Sequence, residues 1–185
     1  NQRVNLGFFG ANAGYWQIRL EPATADGSTQ RTIVSYKGTL ANTPDPQVTT
    51  NPAEVTVKFR DLLLPRPEAA LVGVMYDYDP VDSDMVISNC IAWICNGTVS
   101  PTNPALPLQT GDRLAGLLGY EVDRVEPSSP PNIQVLTASP YEKIVNGVTE
   151  TRYANMTYYT AASGAGVFAT GSMQWNFGVD DFGTP

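Results

Sequence analysis

The chain has 185 residues, of which 42% are apolar and 16% are charged, and it carries a formal net charge of −7. This length favours one sizeable core, so we expect a single domain over residues 1–185. With 11 Lys and Arg residues and no basic run, the composition argues against nucleic acid or an anionic membrane surface as a partner. The sequence contains neither an apolar run of membrane-spanning length nor a signal-peptide pattern.

Short β-branched and aromatic runs, separated by Pro- and Gly-rich turns, predict a strand-rich chain. We expect about ten strands, in residues 4–9, 15–21, 32–36, 55–59, 71–76, 85–95, 117–125, 133–139, 154–161 and 166–175. Only the segments 66–71 and 111–117 have the spacing of a short helical turn. The first apolar run begins within three residues of Asn1, which suggests a fragment of a longer protein.

Cys90 and Cys95 lie five residues apart in the apolar run 85–95. In a strand, the two side chains would point to opposite faces and lie about 16 Å apart, beyond the reach of a disulfide. We therefore expect two free, buried thiols. Because the chain has two Cys and no His, it does not supply a zinc or iron–sulfur site by itself, and a triad that needs His is excluded.

The segment 117–125, LLGYEVDRV, contains charged side chains in a predicted strand. Alternation puts Glu121 and Asp123 on one face, about 7 Å apart and beside Gly119. A glycine in a strand often marks the close approach of a ligand or another backbone, and like-charge repulsion raises the pKa of one of two neighbouring carboxylates. Glu121 is therefore a candidate general acid or base. The alternative, which the pattern alone favours, is an ion pair with an arginine: Arg19, Arg60 or Arg124.

A second candidate lies in the run 7–16, GFFGANAGYW. A buried strand there delivers Asn12 into a Gly-rich loop at the carboxyl end of the strand, which is the edge where ligands bind in open α/β sheets. The Asn12 amide is able to hydrogen-bond a substrate carbonyl or oxyanion. The alternative is an Asx turn or a left-handed loop residue, which is the more common use of Asn beside Gly.

Four longer motifs occur along the chain: VNLGFFGANAGYWQIRLE (4–21), RPEAALVGVMY (66–76), GDRLAGLLGYEVDRV (111–125) and NMTYYTAASGAGVFATGSMQWNFGVDDFG (155–183). In this order they resemble the carboxyl-terminal region of the large (beta) subunit of N,N-dimethylformamidase and its relatives. The resemblance covers nearly the whole chain, and four motifs in order are far more specific than any one of them.

The resemblance implies a class I glutamine amidotransferase-like domain, a flavodoxin-like α/β fold of which this chain is the strand-rich, mostly β carboxyl-terminal part. It also implies amide C–N hydrolysis with a mononuclear iron held by two Tyr and one Glu, all upstream of Asn1. Carried over by motif, Asn12 lines the pocket beside the iron, and Glu121 is the acid that handles the proton. The implied partners are a small amide substrate and the remainder of a longer chain or a companion subunit.

Two functions follow from these observations. In the first, the chain is part of an iron-dependent amidase acting on a linear amide or formamide, in which Glu121 transfers the proton and Asn12 polarises the carbonyl. In the second, the chain is a non-catalytic ligand-binding or structural module of a larger protein. The sequence leaves the compartment open between cytoplasmic and secreted.

Overall fold

The computed structural model describes residues 4–179, apart from the side chain of Ala92. In chain order the strands and helices are β1 (Leu6–Phe8), β2 (Arg19–Glu21), β3 (Thr32–Val34), α1 (Gln47–Thr50), α2 (Ala69–Val72), β4 (Met75–Val86), α3 (Ala92–Cys95), β5 (Arg113–Arg124), β6 (Gln134–Val135), β7 (Ser139–Val145), β8 (Val148–Ala154), β9 (Thr157–Thr160) and β10 (Gly166–Ala169). Three 3-10 segments add Pro52–Glu54, Phe59–Asp61 and Met173–Val179. The described chain is therefore mostly β, as the sequence predicted. Within it no helix is long and apolar enough to cross a membrane.

The chain divides into two compact units. Within the described range, residues 4–13 and 69–179 form the first, which we call the large unit. Residues 14–68 form the second, which we call the small unit.

The large unit is built from paired strands. β4 pairs with β5, β7 pairs with β8, and a four-stranded sheet has the order β1-β10-β9-β6. β1 and β10 are parallel, whereas the other pairs are antiparallel. One face of the β4–β5 pair packs against the β7–β8 pair in an apolar cluster. Its buried members are Val81 of β4, Leu118 and Val122 of β5, Tyr141 of β7 and Ala154 of β8.

The β7–β8 hairpin was missing from the sequence prediction. Its turn is Asn146–Gly147, and both residues have positive φ angles, of 52° and 79°. Val145 pairs with Val148 across this turn. An Asn-Gly pair between β-branched residues is a strong signal for such a hairpin, so the sequence did contain the information.

The small unit contains little regular structure. β2 and β3 pair over three residues, with Leu20 opposite Ile33. Its apolar core is a cluster made of Val55, Val57 and Leu62, with Leu40, Val48 and Phe59 packed against it. The predicted strand 55–59 is wrong, because this segment contains only an isolated bridge between Lys58 and Trp16, and Phe59 begins a 3-10 segment.

The prediction of two free thiols is also wrong, because Cys90 and Cys95 form a disulfide. β4 ends at Val86, and Ala92–Cys95 is a helical turn instead of the end of a strand. The turn brings the two Cα atoms to 5.8 Å, which is within disulfide range. The apolar run misled the prediction because periodicity does not separate a short buried strand from a short buried helix.

Candidate functional site

Glu121 lies near the end of β5, where the β4–β5 pairing is irregular. Tyr76 pairs with Asp123 and Tyr78 pairs with Val122, and the register shifts on both sides of Tyr78. β4 thus has extra residues opposite the segment of β5 that contains Glu121. Such bulges bend a strand and redirect its side chains, and they are frequent next to active sites.

The other edge of β5 is held by the segment that follows β10. The backbone N–H of Asp123 donates to the carbonyl oxygen of Gly171 at 2.9 Å. The hydroxyl oxygen of Ser172, a fully buried residue, accepts a hydrogen bond from the N–H of Gly119 at 3.0 Å. Residues 119 to 123 are therefore held along both edges, which limits their movement.

Gly119 makes room for two neighbouring groups. A Cβ atom at this position would collide with the backbone oxygen of Val81 and with Oε1 of Gln174. Its φ angle of +148° also disfavours any residue with a side chain. Of the two readings that a glycine in this strand allowed, the described atoms match the close approach of another backbone.

Asn12 lies in the loop after β1 and has a φ angle of 59°, so its backbone is left-handed, as the alternative interpretation predicted. Its N–H donates to Oδ1 of the buried Asp123 at 2.9 Å. Thr170, which is also buried, accepts a hydrogen bond from the N–H of Gly10 at 2.8 Å. The first bond holds the loop against β5 and the second holds it against the residue that follows β10, so Asn12 lies next to the strand segment that contains Glu121.

Two polar side chains at this place have no partner among residues 4–179. Oδ1 of Asn12 is buried without a hydrogen bond. Glu121 is half-buried, and no residue of the described part forms a hydrogen bond or ion pair with its carboxylate. A buried polar group left unpaired costs about 1–3 kcal/mol, which applies to Oδ1 of Asn12. The half-buried Glu121 carboxylate is able to accept hydrogen bonds from a ligand as well.

The arginines proposed as partners of Glu121 pair with other carboxylates. Arg19 contacts Asp45 at 3.1 Å, Arg60 contacts Glu68 at 2.8 Å and Arg124 contacts Glu126 at 3.2 Å. Asp123 differs from Glu121 because it is 1% exposed and bonds to the Asn12 loop. Asp123 therefore positions the loop, while no described residue pairs with the Glu121 carboxylate.

Gln174 is a further polar residue at this place, and the sequence analysis did not select it. It belongs to the 3-10 segment Met173–Val179, and its Oε1 is buried without a hydrogen bond to any described residue. Its amide lies against Gly119, two residues from Glu121. A single Gln has no spacing that marks a site, so only the packing of this segment on β5 reveals it.

A second group of charges in the large unit is mutually neutralised. Asp77 accepts hydrogen bonds from Tyr141 at 2.5 Å, from Lys143 at 3.0 Å and from Arg152 at 2.9 Å. Burial acts to raise the pKa of Asp77, but the bonds from Tyr141 and Lys143 and the two cationic charges outweigh it and lower this pKa. Burial and the bond to Asp77 raise the pKa of Tyr141. This cluster joins β4 to β7 and β8, and we assign it a structural role.

A metal site cannot be built from the described side chains alone. Residues 4–179 contain no group of three or more His, Cys, Asp or Glu that could hold a metal ion. At the candidate site, one oxygen of Asp123 already accepts the bond from Asn12, and Glu121 is the other carboxylate of this segment. The donor set of the described residues therefore does not fit the iron that the resemblance implies.

Comparison with known proteins gives one family. The sequence model of the family described as "N,N-dimethylformamidase beta subunit-like, C-terminal" matches residues 1–184. This match confirms the resemblance that the four motifs carry. A search of the curated proteins finds no match.

Proposed function

Since the chain belongs to the N,N-dimethylformamidase beta subunit-like, C-terminal family, we propose that it is part of a hydrolase that cleaves the C–N bond of a small linear amide. The observation that carries this proposal is the junction of Asn12 with β5. There, Oδ1 of Asn12 is buried without a hydrogen bond and the half-buried Glu121 carboxylate has no partner among the described residues, while Asp123, two residues from Glu121, bonds to the Asn12 loop.

Glu121 is the proton-transfer group of the proposed reaction. It takes a proton from the attacking water while the water oxygen bonds to the carbonyl carbon, and it then gives this proton to the amine nitrogen as the C–N bond breaks. Nδ2 of Asn12, which forms no hydrogen bond with a described residue, donates to the carbonyl oxygen, on which negative charge develops. The products are a carboxylic acid and an amine.

Iron has a limited place in this proposal. Because the described side chains do not fit an iron site, we assign the iron ligands implied by the resemblance to a companion subunit or to another part of a longer chain. A domain of a beta-subunit-like family fits either arrangement. The roles of Glu121 and Asn12 rest on their own chemistry.

We also propose that the strands of the large unit belong to a class I glutamine amidotransferase-like, flavodoxin-like sheet. The parallel pair β1–β10 supports this, because parallel strands are typical of α/β sheets. β1 is at one edge of the described sheet. An experimental structure of the full-length protein is expected to have further parallel strands beside β1, and an edge covered only by loops would contradict the proposal.

Substitution of Glu121 tests the function. Full-length Glu121→Gln protein, assayed by amine release from N,N-dimethylformamide and related formamides, is expected to lose turnover by about 10²–10⁴-fold. Glu142→Gln is the matched control, because it removes the same charge from an exposed position of the large unit. Equal turnover in Glu121→Gln and the control would remove Glu121 from the mechanism.

Asn12→Gly separates the two interpretations of Asn12. Glycine keeps the left-handed backbone and the N–H bond to Asp123 while removing the side-chain amide. If Asn12 polarises the carbonyl, turnover falls about tenfold or more with an unchanged thermal midpoint. Full turnover in Asn12→Gly would leave Asn12 with a loop role alone.

A further inference from the structure

The small unit contains a cavity that the proposed hydrolase chemistry does not use. It has a volume of about 330 Å³, and it is lined by Pro52, Ala53, Leu62, Leu63, Leu64 and Arg66. This volume is at the lower end of the range for small-molecule sites, and five of the six lining residues are apolar. Leu63 and Leu64 are 64% and 81% exposed, so a ligand in the cavity would cover apolar surface.

Arg66 is the charged residue of this lining, and no carboxylate within the described range 4–179 forms an ion pair with it. Its guanidinium lies 5.7 Å from the centre of the Phe59 ring, and the hydrogen bond that it donates within the described part goes to Oε1 of Gln17 at 2.7 Å. A guanidinium has five N–H donors in a planar fork, so Arg66 is still able to bind a carboxylate with two parallel hydrogen bonds.

Gln17 links Ala53 and Arg66, two residues that line the cavity. It is 8% exposed, and its Nε2 donates to the backbone oxygens of Ala53 at 2.8 Å and Val55 at 3.0 Å. The same amide accepts the bond from Arg66. Since this partner is a neutral amide, it orients the guanidinium without offsetting its positive charge, as a carboxylate would.

The distribution of charge does not oppose an anion at this unit. Residues 14–68 contain six of the 11 basic residues and six of the 18 acidic ones, so the net charge of −7 comes from the rest of the chain. An anion that approaches the small unit is therefore not opposed by an excess of negative charge within that unit.

We propose that the small unit binds a small apolar monocarboxylate. Its hydrocarbon chain lies against Pro52 and the three leucines, and its carboxylate pairs with Arg66. The site belongs to the small unit alone, and it does not depend on the proposed hydrolase.

Calorimetric titration of the full-length protein with sodium octanoate tests the proposal. One octanoate is expected to bind per chain, and Arg66→Gln should weaken binding about tenfold or more, because a charge-assisted pair is lost. Arg31→Gln is the matched control, since it removes the same charge from an exposed position of the same unit and should leave the affinity unchanged. Octan-1-ol, which has the chain without the charge, should bind at least about tenfold more weakly than octanoate.

Two further tests change the length of the ligand's hydrocarbon chain and fill the cavity. Hexanoate should bind about tenfold more weakly than octanoate, because it buries two fewer methylene groups. Ala53→Phe keeps Arg66 but fills the cavity from an exposed position, so it should abolish binding even if Arg66→Gln is unstable. The proposal is overturned if octanoate does not bind, if Ala53→Phe binds it normally, or if Arg66→Gln and Arg31→Gln bind it equally.

Discussion

Each unit contains a carboxylate that accepts several hydrogen bonds, but the surroundings of the two carboxylates differ. In the large unit, Asp77 lies within strands of seven to twelve residues that pair along their length. In the small unit, the strands have three residues each, and the buried Asp45 accepts hydrogen bonds from Arg19, Thr56 and Gln47. The large unit is therefore ordered mainly by its strand pairs, whereas the small unit depends on a few side chains that bond to the backbone.

This comparison predicts where single substitutions matter most. A strand pair distributes its hydrogen bonds over many residues, so the loss of one charged contact leaves the rest in place. A unit with a small core has few other contacts to compensate. We expect the largest loss of stability at Asp45 and smaller losses in the large unit.

Asp45→Asn should cause the largest change, a loss of about 3 kcal/mol or more in the free energy of opening of the small unit, because Arg19 loses its buried carboxylate partner. Hydrogen exchange of the amides in residues 14–68 measures this energy. Glu54→Gln, at an exposed position of the same unit, should change it by less than about 0.5 kcal/mol. Equal effects of the two substitutions would contradict the comparison.

Acid should weaken the small unit through the same residue. Burial acts to raise the pKa of Asp45, but the hydrogen bonds from Arg19, Thr56 and Gln47 outweigh it and hold this pKa well below its usual range. The stabilisation is therefore complete above the unfolded pKa of about 4, and it is lost as the pH falls from there towards the folded value. The difference in opening free energy between the wild type and Asp45→Asn should shrink below about pH 4. A difference that stays constant down to pH 2 would contradict this assignment.

Removal of the Cys90–Cys95 disulfide should have the next largest effect. The double variant Cys90→Ala, Cys95→Ala should lose about 2 kcal/mol, because the short loop is no longer closed in the unfolded chain. A reducing agent should lower the thermal midpoint of the wild type and leave that of the double variant unchanged. If the agent affects both proteins equally, the disulfide is not the cause.

Asp77→Asn should have the smallest effect, about 1 kcal/mol, because the paired strands and the apolar cluster around Tyr141 remain. Chemical denaturation of the large unit measures it. Glu150→Gln removes an exposed partner of the same Arg152 and should have no measurable effect. A loss at Asp77 as large as the loss at Asp45 would remove the contrast between the two units.

Local patterns predicted a considerable part of the fold. Six strands lie within predicted strands, as does most of β5: β1, β2, β3, β6, β9 and β10. Asn12 beside a glycine adopts the left-handed backbone that this pair favours. The β7–β8 hairpin was missed, although its Asn-Gly turn could have been recognised in the sequence. The secondary structure of the segment 85–95 could not be assigned from its local sequence, because an apolar run fits a strand and a short helix equally well.

The sequence by itself determined the family, the mostly β character and the two residues proposed for chemistry, because these depend on motifs and on local backbone preferences. Tertiary structure decided which polar groups find partners. Asp123 bonds to Asn12 across 111 residues of chain, and Arg66 bonds to Gln17 across 49. Contacts over such separations depend on how the whole chain packs, so no local pattern predicts that Asp123 is paired while Glu121 has no partner in the described residues.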